Sequence, residues 1–406
     1  MSGTSSRQPV VRFKGVDIVF GDHPTKALPL IDAGKSRAEI QDETNQIVGV
    51  KNADLDVYDG EVVVLMGLSG SGKSTLLRAV NGLNPVTRGE VFVHDGESDV
   101  AVHSCGTRQL RKLRRNRVSM VFQQFALLPW RTVRENVALG LELSHVGRRR
   151  RRKDVERQLE LVGLGGWGDK RVEELSGGMQ QRVGLARALA NDAPILLMDE
   201  PFSALDPLIR DRLQDELLDL QRRLERTIIF VSHDLDEALK LGNRIAIMEG
   251  GIIVQVGTPQ EIVLSPASEY VRAFVSHMNP LNVLRAQEVM RPPRMNGEDA
   301  TAAAERAENG RAENGGAESF ELVSDGIVRN GETLPLIDLQ NLRSGSLAPG
   351  SLVRVGRETG LRDLIDARLM HRGDFIVVGD DGVKGVIGDE ELFGALIRGR
   401  SELQAR

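Results

Sequence analysis

The chain has 406 residues, 40% of them hydrophobic and 27% charged, which predicts a soluble-type globular protein of two or three domains. A formal charge of −5 argues against a general electrostatic nucleic-acid binder, and the single cysteine, Cys105, excludes an internal disulfide framework. No apolar leader opens "MSGTSSRQPVVRFKG", and no apolar run approaches the roughly 20 residues that cross a bilayer. The expectation is a cytosolic chain, or one held at a membrane by partners; a role in transport would need another protein to supply the channel.

"VVRFKGVDIVF" alternates like a strand, and the stretch from about 23 to 48 reads as an inserted helical excursion. "VKNADLDVYDGEVVVLMG" returns to strand patterning and runs into "GLSGSGKST" at Gly67–Thr75, after which "STLLRAVNGL" has helical spacing. Strand, glycine loop and helix are the setting of a phosphate-gripping loop. Gly67, Gly70 and Gly72 let the backbone close on an anion, with Ser69, Ser71 and Thr75 completing the cradle. Lys73 adds a point charge for β- and γ-phosphates, and Ser74 a hydroxyl for Mg²⁺.

Residues 110–175 read as helix-rich and basic. The run "RRRRRK" at 148–153 is either a solvated helix face or loop, or a stretch lying near anionic lipid. Gln123, in "SMVFQQFALLPW", can ligate Mg²⁺ through its carbonyl, with Gln124 as the competing choice. In "LSGGMQQR" (Leu175–Arg182) Ser176 is an expected N-cap, and Val183, Ala186, Leu189 and Ala190 share one face of the helix that follows. Gly177 and Gly178 permit close backbone approach, so this is a second anion-binding helix start. One nucleotide needs one cradle. A head-to-tail pair of chains would set Ser176 of one against the γ-phosphate held by Lys73 of the other, giving two identical composite sites.

"PILLMDEP" (194–201) is a buried parallel strand ending in Asp199 and Glu200. Adjacent strand residues point to opposite sides, so Asp199 can support Mg²⁺ while Glu200 polarises an attacking water. "TIIFVSHD" (227–234) is a second such strand, and His233 at its tip is placed to meet the γ-phosphate. Strands alternating with helices predict a doubly wound α/β core with its ligand at the carboxyl ends of the strands. From Arg291 the composition turns polar, with "RAENG" repeated at 306–310 and 311–315, and residues 284–318 read as a flexible linker. Order resumes near Phe320, and 352–399 reads β-α-β-β-α, with Leu361, Leu364, Ile365 and Leu369 at helical spacing.

Together these residues resemble the ATP-binding cassette (ABC) ATPases. Gly67–Thr75 look like Walker A, Gln123 like the Q-loop, Leu175–Gln180 like the signature, Ile195–Glu200 like Walker B, "SALD" (203–206) like the D-loop and His233 like the switch histidine. The resemblance implies an ABC ATPase domain at 10–283 with a helical subdomain at about 124–178. It also implies ATP and Mg²⁺ as cofactors, and an ATP-sandwich homodimer that drives two integral-membrane permease subunits. By it, Ser176, Gly177, Gly178 and Gln180 act in trans, Asp206 carries communication between the sites, and Mg²⁺ lies near Ser74, Gln123 and Asp199. Phe20, in "IVFG", either stacks on adenine or is an ordinary core phenylalanine.

"GLSGSGKSTLLRAVNGL", "SALDPLIR" and "FVSHDLDEALKLGNRIAIM" are similar to the ATPases of glycine betaine/proline and choline importers, and the inserted segment marks that group. "LLPWRTV" and "NPLNVL" look closest to the choline-uptake ATPases. This finer resemblance implies import of a quaternary amine, an extracytoplasmic substrate-binding protein, and a peripheral place on the cytoplasmic face of the inner membrane, with no nucleic-acid partner. The alternatives are an importer ATPase for another small solute, or a non-transport ABC ATPase. Residues 319–406 resemble a small α+β domain with one clear cystathionine-β-synthase (CBS) motif, and 319–350 offer at best a degenerate second copy. Such a tail is either a dimerisation appendage or a regulatory sensor.

Overall fold

Two twelve-residue strands, β1 (Pro9–Phe20) and β2 (Ile47–Tyr58), pair antiparallel. Register shifts let them bend, and Gly15 and Asn52 take left-handed backbone at these points. The computed structural model describes residues 8–275, 283–292, 320–323, 326–329, 332–343, 351–380 and 382–397. They fall into two units divided after Arg272. Between β1 and β2 the insert folds as a 3-10 turn, Pro24–Ala27, and two helices, α1 (Leu28–Asp32) and α2 (Arg37–Thr44). Ser36 and Glu39 form a reciprocal capping box at the head of α2. Ala27, Ile31 and Ile40 bury with Val19 and Val48, so the insert carries a small core of its own.

The chain continues through β3 (Val62–Met66), α3 (Lys73–Ala79), β4 (Arg88–His94), β5 (Asp99–Ala101), α4 (Thr107–Asn116) and β6 (Val118–Val121). Then come α5 (Val133–Leu143), α6 (Arg148–Leu161), α7 (Gly177–Ala190), β7 (Ile195–Asp199), α8 (Pro207–Leu224), β8 (Thr227–Val231), α9 (Leu235–Leu241), β9 (Arg244–Glu249) and β10 (Ile252–Gly257). One sheet has the order β2-β1-β4-β5. The other has the order β10-β9-β3-β8-β7-β6, parallel from β9 to β6. Every residue of β3, β7 and β8 is buried, which is why these strands read as unbroken apolar runs. Phe13, Leu65, Leu76, Leu197 and Ile229 pack in the core that the two sheets share. The neighbouring strands β3, β8 and β7 thus deliver the glycine loop, Ser232–His233 and Asp199–Glu200 to one edge.

Within the stretch expected as a helical subdomain, α5 and α6 pack on each other and on α7. The basic run opens α6 as a solvated helix face: Arg148, Arg149, Arg150, Arg152 and Lys153 are exposed. Arg150 pairs with Asp154 at 3.6 Å, and Arg151 with Glu142 at 3.7 Å.

In the second unit, Leu352–Gly356, helix Leu361–Arg368, Phe375–Gly379, Gly382–Ile387 and helix Asp389–Ile397 follow the expected β-α-β-β-α order. Leu336–Asp338 adds a parallel edge strand. The described residues of 319–350 differ from a second CBS-like copy. Phe320–Val323, Gly326–Arg329 and Glu332–Leu334 form an antiparallel meander whose strands follow one another only two residues apart in sequence, leaving no room for a helix between them. The linker expected from 284 also begins later. Leu284, Ala286 and Val289 are buried with Val353, Leu361 and Phe375, and Leu361 N donates to Leu284 O at 2.7 Å. Residues 293–318, the rest of that expected linker, lie outside the described residues.

Candidate nucleotide-binding site

The phosphate loop joins the buried end of β3 to α3. Gly72 sits at φ +101°, and a Cβ there would lie 2.4 Å from the Gly49 carbonyl oxygen, so only glycine closes this turn. Lys73 is buried and folds back, donating from Nζ to Gly67 O at 2.8 Å and Leu68 O at 2.9 Å. Burial pushes its ammonium pKa down, and the nearby Glu200 and Asp199 carboxylates oppose that shift. Ser69 and Gly70 are exposed at the tip. Ser71 Oγ is buried without a hydrogen-bond partner. Arg37 of the insert donates from Nη1 to Gly70 O at 2.9 Å, so the insert braces the loop directly.

The two acids separate, but through a backbone turn rather than strand alternation, because β7 ends at Asp199. Asp199 is fully buried; Ser74 Oγ donates to its Oδ1 at 2.6 Å, and Arg78 donates to its Oδ2 from Nη2 at 2.8 Å and Nε at 3.2 Å. Glu200 takes the left-handed backbone, φ +49°, and turns away. Its Oε2 accepts from Gln123 Nε2 at 3.1 Å and lies 3.6 Å from His233 Nδ1. Of the three expected Mg²⁺ neighbours, Ser74 and Asp199 therefore touch, while Gln123 pairs with Glu200. Gln124 is exposed and lines a cavity with Gln123 and Arg78.

Phe20 is 38% exposed and is no core phenylalanine. A Cβ at Gly49 would lie 2.8 Å from Phe20 Cε2 and 3.0 Å from Thr75 Cγ2, so ring and methyl flank one glycine beside the loop. Ser176 caps α7, accepting from Met179 N at 3.4 Å, and with Gly177 it is exposed. A Cβ at Gly178 would come 3.2 Å from Ala204 O, so this glycine lets α7 approach the "SALD" loop. Gln180, expected to act in trans with these, instead turns its amide onto Val172 O at 3.2 Å and Leu175 O at 3.1 Å of its own chain. Asp206 caps α8 through Ile209 N at 3.1 Å.

Two residues on α7 escaped the motif reading. Gln181 is buried; its Nε2 donates to Glu200 O and its Oε1 accepts from Ala204 N, both at 3.2 Å. Arg187 donates to Ala126 O at 2.6 Å and Phe125 O at 2.8 Å, just beyond Gln123, where both residues have positive φ. Partners 19 to 62 positions away leave no mark in local spacing.

The ABC transporter family description matches residues 50–203. Over 375 residues, 91% of this chain and 93% of the other, the sequence is 43% identical to the glycine betaine/carnitine transport ATP-binding protein GbuA of Listeria monocytogenes. This chain belongs to the ABC transporter ATP-binding proteins, in the glycine betaine/choline group. The ABC protein is also 50% identical over 281 residues to the glycine betaine transport ATP-binding protein OpuAA of Bacillus subtilis, covering 69% of this chain and 66% of that one. With the choline transport ATP-binding protein OpuBA of the same organism the identity is 42% over 227 residues, 56% and 58% of the two chains. A solved dimer of the ATP-binding cassette MJ0796, bound to ADP and Pi, matches with TM-score 0.53 and 32% identity over 61% of this chain and 98% of that one. The chain is accordingly an ATP-hydrolysing transport ATPase of the ABC fold.

ATP and Mg²⁺ are the cofactors of this fold, and the residues present suit them. The orphaned Ser71 hydroxyl and the buried Lys73 ammonium are donors facing an anion site. Among the described residues no cluster of three His, Cys, Asp or Glu exists. The Asp199 carboxylate and the Ser74 hydroxyl are the hard-oxygen groups that would hold a Mg²⁺ ion here.

Proposed function

We propose that this chain energises import of a quaternary amine through a partner permease, with Glu200 as the residue that activates water. The observation that carries the assignment is the Glu200 carboxylate held between Gln123 and His233, one residue past the Ser74–Asp199 pair. Bound ATP supplies the phosphoanhydride, and Mg²⁺ bound with it neutralises phosphate charge. Ser74 and Asp199 would hold the metal, and Gln123 would join them if its amide left Glu200. Lys73 exchanges the Gly67 and Leu68 carbonyls for phosphate oxygens, with Ser71 and the loop around Ser69, Gly70 and Thr75 completing the grip. Glu200 then accepts a proton from water, and His233 donates to the γ-phosphate. Phe20 stacks on adenine. In a homodimer the partner copy's exposed helix start completes the site, its Gln180 shaping that loop from within.

A groove of about 350 Å³, where Leu83, Phe122, Leu139 and Leu143 lie beside Arg114 and Arg187, suits an amphipathic helix of the permease. No described helix is long and apolar enough to cross a membrane. We assign the channel to two permease subunits, substrate capture to an extracytoplasmic binding protein, and this chain to the cytoplasmic face. Among quaternary amines, glycine betaine ranks ahead of the choline suggested by "LLPWRTV". Two relatives named for betaine match 69% and 91% of this chain, against 56% for the relative named for choline alone and for one named for betaine, carnitine and choline. We assign the tail a CBS-like dimerisation or regulatory role.

Glu200→Gln is expected to retain ATP binding and dimerisation while turnover falls about 100-fold or more. Unchanged turnover removes Glu200 from its role. Uptake of labelled glycine betaine and choline in cells lacking this chain and redundant importers decides the substrate; loss of neither refutes quaternary-amine import.

A further inference from the structure

Arg78 has no part in the roles above, yet it makes the strongest contact with the buried acid of the site. Ser74 and Arg78 are one turn apart on α3, so both side chains fall on the face that meets Asp199. Ser74 takes one carboxylate oxygen, and Arg78 grips the other with two donors. Asp199 is fully buried while the Arg78 side chain is 37% exposed, so the guanidinium has a path to solvent that the carboxylate lacks. A buried carboxylate without a counter-charge is strongly unfavourable. A divalent ion held by Ser74 and Asp199 would share that carboxylate with a guanidinium a few ångströms away. Two cations on one carboxylate repel each other.

We propose that Arg78 is a resident counter-charge that sets the metal affinity of this site: it stabilises the buried Asp199 by itself and opposes the divalent ion. The site then tolerates loss of its metal, and holds the metal less tightly than Ser74 and Asp199 alone would. Arg78 is a positioning residue, and the proposal rests on Asp199 being the metal-side acid.

The test is Mn²⁺ binding to the full-length protein with ADP, followed by electron paramagnetic resonance of free Mn²⁺. Arg78→Gln is expected to tighten Mn²⁺ roughly tenfold, the scale of a screened repulsion between a divalent ion and one nearby charge. Arg78→Lys, which keeps the charge, should bind Mn²⁺ within about twofold of the parent. Without metal, Arg78→Gln should melt below the parent, and Mn²⁺ with ADP should close that gap. Unchanged or weakened Mn²⁺ binding in Arg78→Gln overturns the proposal, as does equal tightening in Arg78→Lys; if the Gln variant does not fold, Arg78→Met, which also removes the charge, decides in its place. Asp199→Asn separates the two claims. Weak Mn²⁺ binding there, with no tightening at Arg78, overturns only the counter-charge; parent-like binding overturns the metal-site reading and this proposal with it.

Discussion

Gln181→Leu probes how the signature helix governs the water-activating acid. The substitution keeps the side-chain volume in a site only 1% exposed, and removes the bonds to Glu200 O and Ala204 N. Glu200 O retains Ser203 N at 3.4 Å and Ser203 Oγ at 3.1 Å, whereas Ala204 N loses its acceptor. Two net hydrogen bonds at about 1 kcal/mol each, plus a poorly solvated amide, give a loss of roughly 2–3 kcal/mol. In a domain of this size that lowers the melting point by roughly 5–10 °C. Glu200 also pays for its left-handed backbone, about 1–2 kcal/mol for a non-glycine residue. Once Gln181 no longer holds that carbonyl, the carboxylate drifts from Gln123 and His233. The expected result is a kcat about tenfold lower with KM for ATP within about twofold, because the phosphate loop is untouched. Phosphate release at saturating ATP, measured well below the melting point, gives kcat; urea unfolding gives the stability. A destabilised variant with parental kcat would refute the coupling and leave Gln181 a purely structural residue.

Gly49→Val should push the Phe20 ring aside and weaken ATP roughly fivefold to tenfold, matching Phe20→Ala, since one stacking contact is worth about 1 kcal/mol. Calorimetric titration reads this, and ATP affinity unchanged in both variants removes Phe20 from the site. Burial raises the Glu237 carboxyl pKa, and the Ser232 hydroxyl at 2.7 Å pulls it back. A raised folded value means that the native state holds the proton more tightly than the unfolded chain, so this contribution is lost as pH rises through the folded pKa. Glu237→Gln should therefore be more stable than the parent at pH 8, with the gain gone below about pH 4. Equal denaturation midpoints at both pH values would show that desolvation is not decisive there.

The parts of the site legible in the sequence are those whose chemistry sits in consecutive residues. The glycine loop, Asp199–Glu200 and Ser176–Gly178 each pack their function into a few positions, and buried strands announced themselves as apolar runs. Residues that act across the fold were not legible. Arg78 reaches Asp199 from 121 positions away, and Gln181 reads as one more polar position on an amphipathic helix. Phe125 and Ala126 take positive φ without being glycine, held there by Arg187, so their turn carries no glycine signature. Linker composition marked the polar run after Arg291 but could not show that Leu284–Val289, too brief for periodicity, belongs to the tail.

That last feature bears on how such chains can be shuffled. A natural fusion or an engineered swap made where the composition turns polar, just past Arg291, would leave Leu284, Ala286 and Val289 on the wrong side of the joint. The transplanted tail would arrive with Val353, Leu361 and Phe375 stripped of cover, an apolar scar prone to self-association. The seam that keeps both pieces whole lies upstream of Val283, so the tail travels as a cassette of its own only when it brings this short leading arm along.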